Sequence, residues 1–110
     1  MVIETILLTA VAALTVVQLV VELILKFRQI AEWFRERRSR LYGNVLNTAD
    51  RERVGFTLQD LMANGQYRTV QGVFNTATEQ VETDVRQITS RGIDAELAAH
   101  HQNRRLVIYP

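Results

Sequence analysis

The first quarter of the chain is its most apolar part. From Thr5 to Leu25 it reads TILLTAVAALTVVQLVVELIL, with Gln18 and Glu22 as its only strongly polar members. A helix over this stretch, rising about 1.5 Å per residue, reaches roughly 30 Å, the hydrocarbon thickness of a bilayer. The pattern predicts a transmembrane helix over about 5–25. A cleaved leader would instead show a basic start and a small-residue cleavage site after its apolar run. Between Met1 and Leu41 there is neither glycine nor proline, so nothing in the sequence kinks this helix. It is expected to continue past Lys26 as an amphipathic extension to Leu41, with Phe27, Ile30, Phe34 and Leu41 on one stripe.

The span is not uniformly lipid-like. Thr15, Gln18 and Glu22 follow each other at helical spacing, and an amide and a carboxylate at that depth are costly unless a partner meets them. Glu22 also stands four residues before Lys26, the favourable order for an ion pair on a helix. Thr5, Thr9 and Ala13 form a second ridge with the small-residue spacing that lets helices approach closely. These two faces are the expected packing surfaces toward other membrane helices.

Beyond Leu41, breaks at Tyr42-Gly43-Asn44, Asn64-Gly65 and Ser90-Arg91-Gly92 divide the chain into three further segments. The first, about 49–63, carries Val54, Leu58, Leu61 and Met62 on one face. In the second, 66–91, the positions Tyr67, Val70, Phe74, Ala77, Val81, Val85 and Ile88 recur at steps of three and four, the period of a helix. Gly72 interrupts it at a cost near 1 kcal/mol, which suggests a close packing contact there. A last short helix is expected over 93–103. The apolar tail Leu106, Val107, Ile108 and Tyr109 is expected either to fold back on the helices or to dock on a partner, for example as an added strand. The expected fold class is all-α: an N-terminal transmembrane helix with a basic extension over 1–41, and a small helical domain over 42–110.

Charge sets the expected topology. Lys26, Arg28, Arg35, Arg37, Arg38 and Arg40 outnumber Glu32 and Glu36 just after the apolar span. By the positive-inside rule the N-terminus lies outside and the domain inside an inner membrane, with Trp33 as an aromatic anchor at the interface. The remaining residues are nearly balanced in charge. Such a small module without cysteine has no disulfide to reinforce it, and a partner, an oligomer or a membrane surface commonly supplies the rest of its stability.

Catalytic equipment is sparse. His100 and His101 are the only histidines, and adjacent positions on a helix point about 100° apart, too divergent to share one ion. The sequence shows no glycine-rich phosphate loop and no nucleophile constellation. No metal or cofactor is implied, and the chain is not expected to be an enzyme.

The stretch Thr57-Leu58-Gln59-Asp60-Leu61, followed by Tyr67-Arg68-Thr69-Val70-Gln71-Gly72-Val73-Phe74-Asn75, resembles the helix-turn-helix of the lactose-repressor family. The resemblance implies a second helix that enters the major groove and presents Tyr67, Arg68 and Gly72. The link between Leu61 and Thr69 is shorter than in that family, and Gly72 stands in place of a basic base-reading residue. The balanced charge argues against nucleic acid as a partner, because DNA binders neutralise phosphates. The leading expectation is an accessory or scaffold subunit of a membrane complex, whose partners are other membrane proteins, the lipid bilayer or further copies of itself. The alternatives are a membrane-tethered helix-turn-helix regulator and a holin-like or self-assembling membrane-active protein.

Overall fold

The computed structural model describes residues 5–6, 8–10, 18–42, 53–82, 85–102 and 104–109, with the side chains of 37–42 excepted. Its elements in chain order are β1 (Gln18–Leu25), α1 (Phe27–Tyr42), β2 (Arg53–Leu61), β3 (Tyr67–Asn75), β4 (Gln80–Val81), β5 (Arg86–Ile93), α2 (Ala95–His101) and β6 (Leu106–Tyr109). Residues 5–6 and 8–10 are also helical.

Two runs of alternating residues meet at a glycine turn and form the centre of the fold. In β2, Val54, Phe56 and Leu58 alternate with Gly55, Thr57 and Gln59, the period of a strand with two different faces. The chain then reverses through Asn64-Gly65. Gly65 adopts φ 84°, the Met62 amide donates to the Gln66 carbonyl at 2.7 Å, and the Gly65 amide to the Met62 carbonyl at 2.9 Å. A short hairpin loop of this kind uses glycine for its left-handed residue. β2 and β3 pair antiparallel from Arg53↔Asn75 to Leu61↔Tyr67.

The sheet has six strands in the order β1-β5-β3-β2-β6, with β4 paired to β3. β1 lies parallel to β5, and the remaining pairings are antiparallel. The helices α1 and α2 cover one face. Between them and the sheet lies a core of Leu25, Ile30, Ile88 and Leu97, joined by Val20, Phe27, Phe34 and Ile93. The opposite face carries Phe56, Leu58, Val70, Phe74 and Val85, on which Ile6, Leu8 and Ala10 of the N-terminal helical residues pack. Both faces of β3 are therefore covered, and it is the buried middle strand.

Glycines mark two close approaches. A Cβ on Gly55 would stand 2.6 Å from the Phe34 ring of α1, and one on Gly72 would meet Phe56 and Val85 at 3.0 and 3.2 Å. The packing contact expected at Gly72 exists, but inside a strand.

This architecture corrects the all-α expectation. The described residues of the segments at 49–63 and 66–91 are not helical: they form β2, β3, β4 and most of β5. Steps of four are even and therefore hold a residue on one strand face as well as on one helix face. Val70 and Phe74 illustrate this, while the three-residue step from Tyr67 to Val70 crosses the sheet. The helix-turn-helix is likewise replaced by the β2–β3 hairpin, so Tyr67, Arg68 and Gly72 lie on a strand. The last expected helix is observed as Ala95–His101.

The transmembrane helix over 5–25 is also corrected. Residues 18–25 are an edge strand, and among the described residues no helix is long and apolar enough to cross a membrane. Six of the eight residues Gln18–Leu25 are apolar, a length and composition that fit a strand as well as part of a helix, and β-branched Val20 and Val21 favour the strand. The inner-membrane placement, with its outside N-terminus and inside domain, loses the segment on which it rested. There is also no continuous rod from the span to Leu41, because the backbone changes from strand to helix at Lys26.

α1 starts there for a local reason. The Lys26 amide donates to Gln29 Oε1 at 2.9 Å, and the Phe27 amide to Asp94 Oδ1 at 3.2 Å. The same Asp94 oxygen accepts the Leu97 amide at 2.9 Å and caps α2. One carboxylate thus satisfies the first turns of both helices, whose leading N–H groups lack partners of their own.

Candidate functional site

β1 is the edge of the sheet, and its outer side pairs with nothing among the described residues. Its eight residues exceed the four of β6 at the other edge. On the face away from α1 it presents Leu19, Val21 and Leu23, which are 75%, 83% and 65% exposed. The β5 residues opposite Leu19 and Val21 are Gln87 and Thr89, so this apolar row stands apart from the core cluster on the same face. Natural sheets shield long edges with charge, proline or bulges. β1 carries one charge, Glu22, and no proline. Single exposed apolar residues are ordinary, but a row of them along an open edge marks an interaction surface.

An open groove of about 480 Å³ runs beside this edge, lined by Glu22, Leu23, Ile24, Lys26, Arg28, Gln29 and Glu32. The end of β1 forms one wall and the first turns of α1 the other. Arg28 Nε lies 3.9 Å from Glu32 at the exposed rim. Such a pair contributes little stability in water, so both groups are available to an incoming chain.

Two further polar networks among the described residues lie inside the fold. Under α1, Gln71 Nε2 donates to the Ile30 carbonyl at 2.9 Å, Arg86 Nε to Gln71 Oε1 at 2.8 Å and Arg86 Nη2 to the Gln29 carbonyl at 3.2 Å. The Arg86 guanidinium also lies 5.5 Å from the centre of the Trp33 ring. These contacts seat α1 on the sheet through a polar layer, in which each buried donor needs its acceptor.

Under α2, Thr57 Oγ1 lies 2.9 Å from His101 Nε2 and 2.8 Å from the Tyr109 hydroxyl. His101 Nδ1 lies 2.8 Å from the Arg104 carbonyl. A carbonyl only accepts, so Nδ1 carries the proton and Nε2 is the acceptor. Thr57 then donates to Nε2, and Tyr109 donates to Thr57. Burial pushes the His101 pKa below its ordinary value, with further lowering from His100 and Arg104, against an opposing hydrogen bond to the Arg104 backbone. Burial likewise raises the Tyr109 pKa, against the opposing Thr57 hydrogen bond. The hydroxyl and the imidazole superficially resemble a nucleophile and its base, but Thr57 is 0% exposed, and its hydroxyl is engaged by both His101 and Tyr109.

A second cleft, of about 320 Å³, opens at the end of the sheet below α2 and includes Gln59, Tyr67, His101, Arg104 and Arg105 in its lining. Its arginines are engaged by the protein. Arg105 forks onto Asp60 at 2.6 and 3.1 Å and holds that carboxyl below its usual range, against the opposing effect of burial. Arg104 donates to the His100 carbonyl at 3.3 Å. No group of acidic, histidine or cysteine side chains among the described residues is arranged to hold a metal.

No protein-family model, curated protein or solved structure matches this chain. The site therefore rests on its geometry.

The structure separates the residues selected from the sequence. Thr5 and Thr9 are exposed on the N-terminal helical residues, where the Thr9 hydroxyl donates to the Thr5 carbonyl at 2.9 Å. Ala13 and Thr15 lie outside the described residues. Gln18 and Glu22 share one side of β1, and Glu22 and Lys26 line the groove with Arg28. Trp33 is 6% exposed and packs beneath α1 instead of anchoring at an interface. Arg35 is exposed; the side chains of Arg37, Arg38 and Arg40 lie outside the described set. Leu106, Val107, Ile108 and Tyr109 form β6 and pair with β2 from Leu58↔Leu106 to Gly55↔Tyr109.

Sequence reasoning missed the edge row Leu19, Val21 and Leu23 as well as Thr57, Gln71, Arg86 and Asp94. The alternation in Val54–Gln59 beside Asn64-Gly65 was the signal for the hairpin and its polar face. No short-range signal announces the Asp94 cap on α1, because the partners are 67 positions apart.

Proposed function

We propose that this chain is a non-catalytic interaction module whose β1 edge takes up an extended polypeptide segment as an added strand. The observation that carries this reading is the open, eight-residue edge strand with Leu19, Val21 and Leu23 exposed along it. Strand addition draws its affinity from backbone hydrogen bonds and its selectivity from alternate side chains. The exposed row offers an apolar surface on one side of the added strand, and the groove against α1 offers both charge signs on the other. The scaffold element of the sequence expectation is kept in this proposal, without a membrane helix to carry it.

The full chain, diluted until it sediments as a monomer and mixed with an octapeptide of alternating valine and threonine, tests the reading. Amide exchange is expected to slow at alternate residues of Gln18–Leu25, whose N–H groups point outward. Protection confined to other strands, or no protection, contradicts it.

A further inference from the structure

We infer that the strand added at β1 is β1 of a second copy of this chain, antiparallel and centred on Val21. The inference rests on the preceding reading of the β1 edge and names its partner.

A two-fold axis normal to the sheet keeps each face continuous across the joint, and a residue that meets its own counterpart marks the centre. Directly opposite residues of an antiparallel pair share a face, so the middle of β1 offers three centres. Centring on Glu22 sets the one charge of the strand against itself, which is unfavourable for residues directly opposite. Centring on Val20 places Leu19 against Val21 of the partner subunit but carries Leu23 beyond Gln18, where the strand begins. Centring on Val21 leaves none of the three exposed apolar residues Leu19, Val21 and Leu23 over. Leu19 then faces Leu23 of the partner subunit, Val21 faces Val21 of the partner subunit, and the third pair follows by symmetry.

All three residues exposed by 65–83% are covered in that arrangement, each by an apolar side chain of its own kind. On the helix side Glu22, which lines the groove together with Lys26 and Arg28, faces Val20 of the partner subunit. The joint also closes the assembly at two copies. It makes one continuous path of ten strands, five from each copy, and leaves the short β6 strand at either end.

The chain has no cysteine, so single nitroxide labels on Leu19→Cys, Val21→Cys and Leu23→Cys report the register without background. Dipolar broadening is expected to be strongest at position 21 and equally weaker at 19 and 23. Sedimentation of the unlabelled chain should show a dimer, and Val21→Lys should shift it to monomer with its β-sheet circular dichroism retained. Broadening centred elsewhere, or a dimer indifferent to Val21→Lys, overturns the inference. A monomeric chain that still takes up the valine–threonine octapeptide also overturns it and leaves the interaction-module reading standing. A monomer that takes up no peptide removes both.

Discussion

His101 shows how one side chain ties buried chemistry to a measurable property. It is 4% exposed, and its ring accepts from Thr57 at one nitrogen and donates to the Arg104 carbonyl at the other. Both bonds are made by the neutral imidazole, which is the form that burial favours. The unfolded chain protonates His101 near its ordinary value of 6.5, and the folded chain only at lower pH. Between these values the unfolded state holds more protons, so stability rises with pH through that window. The contribution of His101 is complete above 6.5 and is lost as the pH falls through the folded value. Urea midpoints measured from pH 8 down to pH 5 should decline, and His101→Gln should flatten the decline. An unchanged slope in that variant would place the pH dependence elsewhere.

At the scale of elements, Asp94 has the widest reach. Its Oδ1 caps α1 through the Phe27 amide and α2 through the Leu97 amide, and its own amide donates to the Leu25 carbonyl at 3.0 Å. It therefore joins the end of β1, the start of α1 and the start of α2. Losing a cap costs about 1 kcal/mol, so Asp94→Ala, which removes two, is expected to lower stability by about 2 kcal/mol in chemical denaturation. Asp94→Asn keeps an acceptor oxygen and should lose less. Equal losses for the two variants would show that the capping bonds are not the cause. The elements themselves were unevenly legible. Val54, Phe56 and Leu58 alternate on one face of β2, yet Val54 and Leu58 alone also fit a helix. The interleaved Phe56 and the Asn64-Gly65 turn resolve that ambiguity. The apolar stretch misled for a related reason, since its composition fits a bilayer and only pairing with β5, remote in sequence, determines that 18–25 is a strand. The stripe of Phe27, Ile30 and Phe34 did mark a genuine helix face, but the surface it meets is the sheet and not the membrane interface.

For the molecule as a whole, the order β1-β5-β3-β2-β6 places the best-buried strands in the middle and the most apolar exposed one at the rim. The two cores lie on opposite faces of β3, and neither cluster contains Leu19, Val21 or Leu23. Gln18 and Glu22, read from the sequence as a stripe toward membrane partners, instead lie along the rim where a new strand would pair. Among the described residues of the N-terminal quarter, Ile6, Leu8 and Ala10 join the fold's own core, while Leu19, Val21 and Leu23 stand exposed along the edge. The assignment of residues 18–25 to that edge is the central claim. Nuclear Overhauser contacts in the isotope-labelled full chain test it directly. The account predicts backbone contacts between β1 and β5 at Val20–Ile88 and Val21–Thr89, in the parallel register observed. An unbroken series of sequential helical amide contacts from Thr5 through Leu25, with none to β5, would contradict it.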